Sequence, residues 1–164
     1  MMLLEQDERV RRVALGTFPG FLAFGLGSGL SRFAPGTMGT IVAIPFAPLV
    51  KSLPPVGYWS LLGALFLAGI WLCGVTAKRL GKHDPGGIVW DEMVGYWLTI
   101  AFIPLHWPWL LLAFVLFRIF DILKPWPIKF TERLFEGGLG IMADDILAAA
   151  YAILVMAVIT RLVN

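Results

Sequence analysis

The fold class this sequence predicts is an all-α, polytopic membrane bundle of about five spans, and three observations carry that expectation. The chain of 164 residues is 59% hydrophobic and only 15% charged, with a mean hydropathy of +0.81. That is far too apolar for an ordinary soluble domain of this length. The runs 57–77 and 141–163 each reach the roughly 20 residues needed to cross a hydrocarbon core. The basic residues, finally, fall almost entirely on one side of the implied layout, as the positive-inside rule requires. No internal repeat or low-complexity linker divides the chain, so residues 1–164 are expected to form one membrane-embedded domain.

Each segment follows from its residues. MMLLEQDERVRR is charged, and the apolar stretch 13–30 after it is broken by Pro19 and several glycines without a plausible cleavage site. It reads as an interfacial or re-entrant segment and not as a signal peptide. Residues 39–53 are expected to cross once, with LPPVG turning the chain before the span 57–77. The apolar run Ile88–Ile122 is too long for one span, and Pro104 and Pro108 cut it near its middle. Proline ends or kinks helices, so a helical hairpin with arms of about 16 residues, roughly 24 Å each, is expected. The last span is 141–163.

This layout starts inside and ends outside. Arg9, Arg11, Arg12, Arg32, Lys78, Arg79, Lys82, Arg118, Lys124, Lys129 and Arg133 then lie on the inner side, with Lys51 and Arg161 opposite. Trp59, Trp107, Trp109 and Trp126 fall near the boundaries, where aromatic anchors belong.

Composition also excludes functions. A net charge of +2 argues against a nucleic-acid partner, and the single Cys73 excludes a disulfide framework or a cysteine zinc site. Cys73 itself reads as a small buried hydrophobe. The informative residues are the acids. Between Arg9 and Lys82 there is no carboxylate, and then Asp84, Asp91, Glu92, Asp121, Glu132, Glu136, Asp144 and Asp145 follow, several at the ends of apolar runs. A carboxylate at the edge of hydrocarbon is costly, so such a set marks a functional site compensated by a cation or a basic partner.

Asp91 with Glu92, and Asp144 with Asp145, are adjacent pairs expected at two helix beginnings. Together they can surround a hard cation such as magnesium, which takes oxygen ligands and keeps waters that a phosphate can replace. The plainer alternative is that they complement helix dipoles. Arg118, Asp121 and Lys124 share one side of a helix by their i, i+3, i+6 spacing, with a salt bridge at the helix end as the simpler reading. The loop GLGSGLSRFAPGTMGT, residues 25–40, offers Ser31, Arg32 and a helix start near Thr37 whose backbone N–H groups can cradle an anion. It matches neither common nucleotide pattern. Gly137, Gly138 and Gly140 permit close backbone approach or simply turn the chain. His83, beside Asp84, is a weak acid or ligand candidate, and His106 lies at the outer turn.

In combination the blocks GSGLSRFAPGTMGT, KHDPGGIVWDEMVG, FRIFDILKPWPI and GGLGIMADDI closely resemble the phosphatidylglycerophosphatase A family over residues 25–155. Arg32 departs from the uncharged residue expected there. The resemblance implies a magnesium-dependent phosphatase of the bacterial cytoplasmic membrane. It would remove the terminal phosphate of phosphatidylglycerophosphate, in phospholipid biosynthesis, at a site facing the cytoplasm. Joined to the reading of the residues, it assigns Asp91, Glu92, Asp144 and Asp145 to the metal and the attacking water, with Asp121 as ligand or base. Arg118, Lys124 and Lys82, with Ser31 and Thr37, would bind the phospholipid phosphate. An aspartyl-phosphate on Asp91, Asp121 or Asp145 is an alternative to direct attack by water. A lipid head-group phosphotransferase is a rival, although the D-x2-D-G-x2-A-R cluster of one such family is missing. A cation-coupled transporter is another, although its acids should line the midplane.

Overall fold

The computed structural model describes residues 2–83 and 85–163, and all regular structure among them is helical. The helices are α1 (Met2–Gly16), α2 (Phe18–Ala23), α3 (Pro35–Ala43), α4 (Ala47–Lys51), α5 (Pro55–Leu80), α6 (Trp90–Thr99), α7 (Trp107–Leu123), α8 (Ile128–Leu134) and α9 (Gly137–Val163). Two of them, α5 with 26 residues and α9 with 27, span about 39 and 40 Å at 1.5 Å per residue, enough to cross the roughly 30 Å core of a bilayer. Among the described residues these are the two helices long and apolar enough to do so alone. Their outward faces carry Leu67, Trp71, Leu154, Val158 and Leu162, apolar side chains suited to lipid contact.

α5 and α9 pack antiparallel through small residues. A Cβ at Gly138 would collide with the Ile70 carbonyl and the Gly74 amide. The absence of a side chain at Gly138 therefore sets how closely the two backbones meet, as in small-residue contacts between membrane helices. Gly81, with φ +66°, closes α5 as a left-handed cap whose N–H bonds the Ala77 and Lys78 carbonyls.

The expected hairpin is present in modified form. α7 has 17 residues, about 25 Å, but the first arm, α6, has only 10. The turn that follows its end at Thr99 is held by a distant cation. Lys51 Nζ donates to the carbonyls of Ile100 at 3.2 Å and Ala101 at 2.9 Å. A cation at a helix C-terminus satisfies the orphan acceptors and complements the dipole. Pro104 then prevents any resumption.

The segment 39–53, expected as one crossing, is also broken. α3 ends at Ala43, a 3₁₀ turn covers Ile44–Phe46, and α4 follows as five residues. Pro45 and Pro48 interrupt the ladder there, since each removes an N–H donor. α1, α2 and the turns to Leu30 form a bent N-terminal path, in line with Pro19 and the glycines.

α6 sits at the centre. Trp90, Asp91, Met93, Val94, Gly95, Tyr96, Trp97 and Thr99 are all buried. Its polar side chains tie it to its neighbours: Trp90 Nε1 donates to the Leu65 carbonyl at 3.1 Å, Trp97 Nε1 to Ala43 at 2.9 Å and Tyr96 Oη to Leu110 at 3.2 Å. Tyr58 Oη donates to the Trp97 carbonyl at 2.6 Å. Buried indole and phenol donors are costly unless paired, so these bonds fix the rotation and depth of α6 and hence the direction of its first turn.

Candidate active site

The start of α6, the end of α7 and the N-terminal third of α9 meet at one end of the bundle. α6 brings Asp91 and Glu92, α7 brings Arg118 and Asp121, and α9 brings Asp145. Asp91 is 8% exposed and Asp145 only 2%. One oxygen from each of Asp91, Glu92 and Asp145 lies within 4.8 Å of the other two. Asp91 is within hydrogen-bonding reach of Glu92, and Asp145 of Asp121, while Asp121 and Glu92 flank the same guanidinium.

One guanidinium enters this nest. Arg118 Nη1 is 2.6 Å from Asp121 Oδ2 and 3.6 Å from Glu92 Oε1. Buried atoms without a hydrogen-bond partner among the described residues include Asp91 Oδ1, Glu92 Oε2, Asp145 Oδ2 and Arg118 Nε. Leaving such groups bare is costly, and four carboxylates around one arginine are not neutralised from within. The orphaned oxygens are acceptors that a cation can satisfy, and the orphaned Nε is a donor that an anion can accept.

The donor set fits a divalent cation. Oxygens within 4.8 Å of one another can converge on one ion with small side-chain adjustment, to the roughly 2.1 Å bonds of magnesium or the longer ones of calcium, and carboxylate oxygens are the hard donors such ions take. Three protein ligands leave coordination positions for water or a phosphate oxygen.

The adjacent acids part company. Asp144 Oδ2 pairs with Lys124 Nζ at 2.6 Å, and Asp144 Oδ1 accepts the Asp145 backbone N–H at 3.1 Å. Asp144 thus faces the α7 terminus while Asp145 faces the other acids, because neighbours on a helix point about 100° apart. Both stand two turns inside α9, since that helix starts at Gly137 and not at residue 141. Lys124, with φ +43°, is the left-handed cap of α7.

The remaining assigned residues are spread around this centre. Thr37 lies in the first turn of α3, half-buried. Next to it, a Cβ on Gly36 would collide with Glu92 Oε1 and lie 3.0 Å from both Arg118 Nη atoms, so α3 begins directly against the acid–guanidinium pair. Ser31 Oγ instead organises its own loop, bonding the carbonyl of Phe33 at 2.9 Å and its N–H at 3.3 Å. Lys82 is away from the acids, in a cleft of about 200 Å³ shared with Lys78, His83, Glu136 and Gly137. Asp84, with the side chains of Glu132 and Arg133, lies outside the described residues.

Sequence reasoning missed Gly36, which touches the site and whose only signal was the Pro-Gly start of a helix. Cys73 is fully buried on α5, as expected of a small hydrophobe, and Thr76 near it has a buried hydroxyl without a hydrogen-bond partner among the described residues.

The family model described as phosphatidylglycerophosphatase A matches residues 21–160. The phosphatidylglycerophosphatase A of Escherichia coli (strain K12) is 49% identical over 132 residues, covering 77% of this chain and 74% of the relative. That of Haemophilus influenzae (strain ATCC 51907 / DSM 11121 / KW20 / Rd) is 44% identical over 155 residues, covering 93% and 95%. No solved structure matches the chain.

Proposed function

The chain belongs to the phosphatidylglycerophosphatase A family, and from that premise we propose that it hydrolyses phosphatidylglycerophosphate to phosphatidylglycerol and inorganic phosphate. The reaction uses magnesium, serves phospholipid biosynthesis and takes place at the cytoplasmic face of the bacterial inner membrane. The single observation that carries the reading is the buried trio Asp91, Glu92 and Asp145, whose orphaned oxygens suit a cation and whose neighbour Arg118 has a buried Nε to offer an anion.

Asp91, Glu92 and Asp145 would hold the ion, which when bound supplies charge neutralisation of the phosphate and polarisation of its oxygens. Arg118 binds a non-bridging phosphate oxygen through Nε while keeping its pair with Asp121, a fixed orientation that favours charge developing in the transition state. Asp121 accepts a proton of the attacking water. As the water oxygen bonds to phosphorus, the bond to the glycerol oxygen breaks and that oxygen takes up a proton from solvent water, so that the overall change is addition of one water across the phosphoester bond. The N-terminal turn of α3, at Gly36 and Thr37, directs backbone N–H groups to the same anion. Lys124 acts on the site through Asp144, which it neutralises, so that Asp144 supports the trio from beside it.

Phosphate release by the purified protein from a panel of phospholipid phosphomonoesters, with and without magnesium, tests the proposal. Release from phosphatidylglycerophosphate that stops when the metal is chelated is the expected result. No release from any member of the panel removes the reading.

A further inference from the structure

Phe33 and Trp126 are the two most exposed large apolar side chains among the described residues, at 86% and 81%. Both follow or precede, within a few residues, positions that touch the site. Phe33 stands three residues before Gly36, which abuts Glu92 and Arg118. Trp126 stands two residues after Lys124, which pairs with Asp144. Each ring is presented by a turn that is itself fastened. Ser31 Oγ bonds both the carbonyl and the N–H of Phe33. The Trp126 carbonyl accepts from Tyr151 Oη at 2.8 Å, and the Tyr151 ring stacks on Phe120 with centroids 5.3 Å apart. Ala34 and Lys124, next to these turns on the site side, both have φ +43°, a conformation that non-glycine residues hold only where the surroundings enforce it.

An apolar strip continues from Trp126 along α7. Ile119, Ile122 and Leu123 are 42%, 66% and 64% exposed, while Arg118, Asp121 and Lys124 of the same helix face inward. One helix end therefore carries the charged site on one side and a lipid-compatible surface on the other, with an aromatic ring at the edge where they meet. We propose that Phe33 and Trp126 form the lipid-binding mouth of the site, holding the acyl–glycerol part of a phospholipid phosphomonoester while its phosphate reaches Arg118 and the carboxylates. The occupant is the diacylglycerol moiety because the two aromatic turns adjoin, in the chain, both the apolar strip and the residues beside Arg118, the group proposed to bind the phosphate. Aromatic rings suit this position, with an apolar body toward the chains at the level of the head groups. The inference rests on the phosphatase reading and makes the two rings positioning residues that favour membrane-borne over soluble substrates.

The test compares one phosphatidylglycerophosphate-containing vesicle substrate with its deacylated, water-soluble head group, the latter followed as substrate or as competitive inhibitor. For Phe33→Ser and Trp126→Ser, kcat/KM on vesicles should fall about tenfold each through KM, with kcat within twofold. Turnover or inhibition by the deacylated compound should stay within twofold of the unaltered protein. Phe33→Leu and Trp126→Phe should restore the vesicle KM, and Trp107→Ser, 69% exposed at the far end of α7, should leave it unchanged. Equal losses on both compounds, no loss on vesicles, or the same loss in Trp107→Ser overturns the proposal. So does a change of oligomeric state with unchanged kinetics, which assigns the two rings to a contact between copies. An unaltered protein that acts on neither compound and is not inhibited sinks the phosphatase reading itself, and the mouth with it.

Discussion

Replacing Gly36 with alanine adds one methyl group where the start of α3 meets the site. By propensity alone the change should help, since alanine is favoured over glycine in helices by about 1 kcal/mol. Packing reverses the sign. The new Cβ would occupy the position of Glu92 Oε1 and approach both Arg118 Nη atoms to 3.0 Å. Glu92 can yield only by turning its carboxylate, because its side chain is 13% exposed and surrounded by the other acids. Turning it breaks the 3.6 Å pair with Arg118 and shifts a proposed metal ligand by about the width of the clash. Losing one partner of a buried pair costs about 3–5 kcal/mol when the remaining charge is left alone. Arg118 keeps Asp121 at 2.6 Å, so a net loss of about 1–2 kcal/mol is expected after the propensity gain. Activity should suffer more than stability. A displacement of about 1 Å at the reacting groups costs on the order of 100-fold in rate, or ~2.7 kcal/mol of barrier. Phosphate release and thermal unfolding in detergent, measured side by side on Gly36→Ala, give both numbers. A variant that is stabilised and within twofold of full activity would refute the close approach of α3 to Glu92 and Arg118.

Two further predictions address the frame around the site. Lys124→Met and Asp144→Asn should each destabilise the protein by about 1–3 kcal/mol in thermal or chemical unfolding, because each strands the partner of a 2.6 Å pair that is largely buried. The double variant should lose less than the sum, and strict additivity would show that the pair does not form. A cysteine at His106, in a protein whose Cys73 is replaced by serine, should react with an impermeant reagent from the outer side of vesicles, whereas one at Lys129 should not; equal labelling from one side contradicts the hairpin of α6 and α7. The Cys73→Ser background should itself keep substantial activity.

What could be read from residues alone was the material governed by local rules. The apolar runs 57–77 and 141–163 correspond to α5 and α9, because continuous apolar length is a direct requirement of the bilayer. Pro104 and Pro108 marked the turn between α6 and α7, since a missing N–H acts wherever it occurs. The acids of three separate blocks do meet with Arg118. What escaped depends on contacts distant in sequence. The chain just past the end of α6 at Thr99 is fastened by Lys51, about fifty residues earlier, through the Ile100 and Ala101 carbonyls, and no pattern within the run 88–103 contains that information. The division of labour between Asp144 and Asp145 depends on how α9 is rotated against α5, which the Gly138 contact sets. Lys82 appeared close to the acids in sequence, but Gly81 turns the chain at the end of α5 and leaves the lysine in the neighbouring cleft.

Magnesium titration of phosphate release from phosphatidylglycerophosphate vesicles, run on the unaltered protein and on Asp91→Asn, Asp145→Asn and Arg118→Met, examines the role of the buried trio. Each asparagine keeps the volume but removes charge from the cation site. The magnesium concentration for half activity should therefore rise by about tenfold or more, or activity should vanish, in protein that still melts cooperatively. Arg118→Met should instead leave the metal requirement near that of the unaltered protein and lower kcat/KM, because the lost donor contacts the phosphate. Full activity in the presence of chelator, or asparagine variants with an unchanged magnesium dependence, would contradict the assignment of Asp91 and Asp145 to a cation.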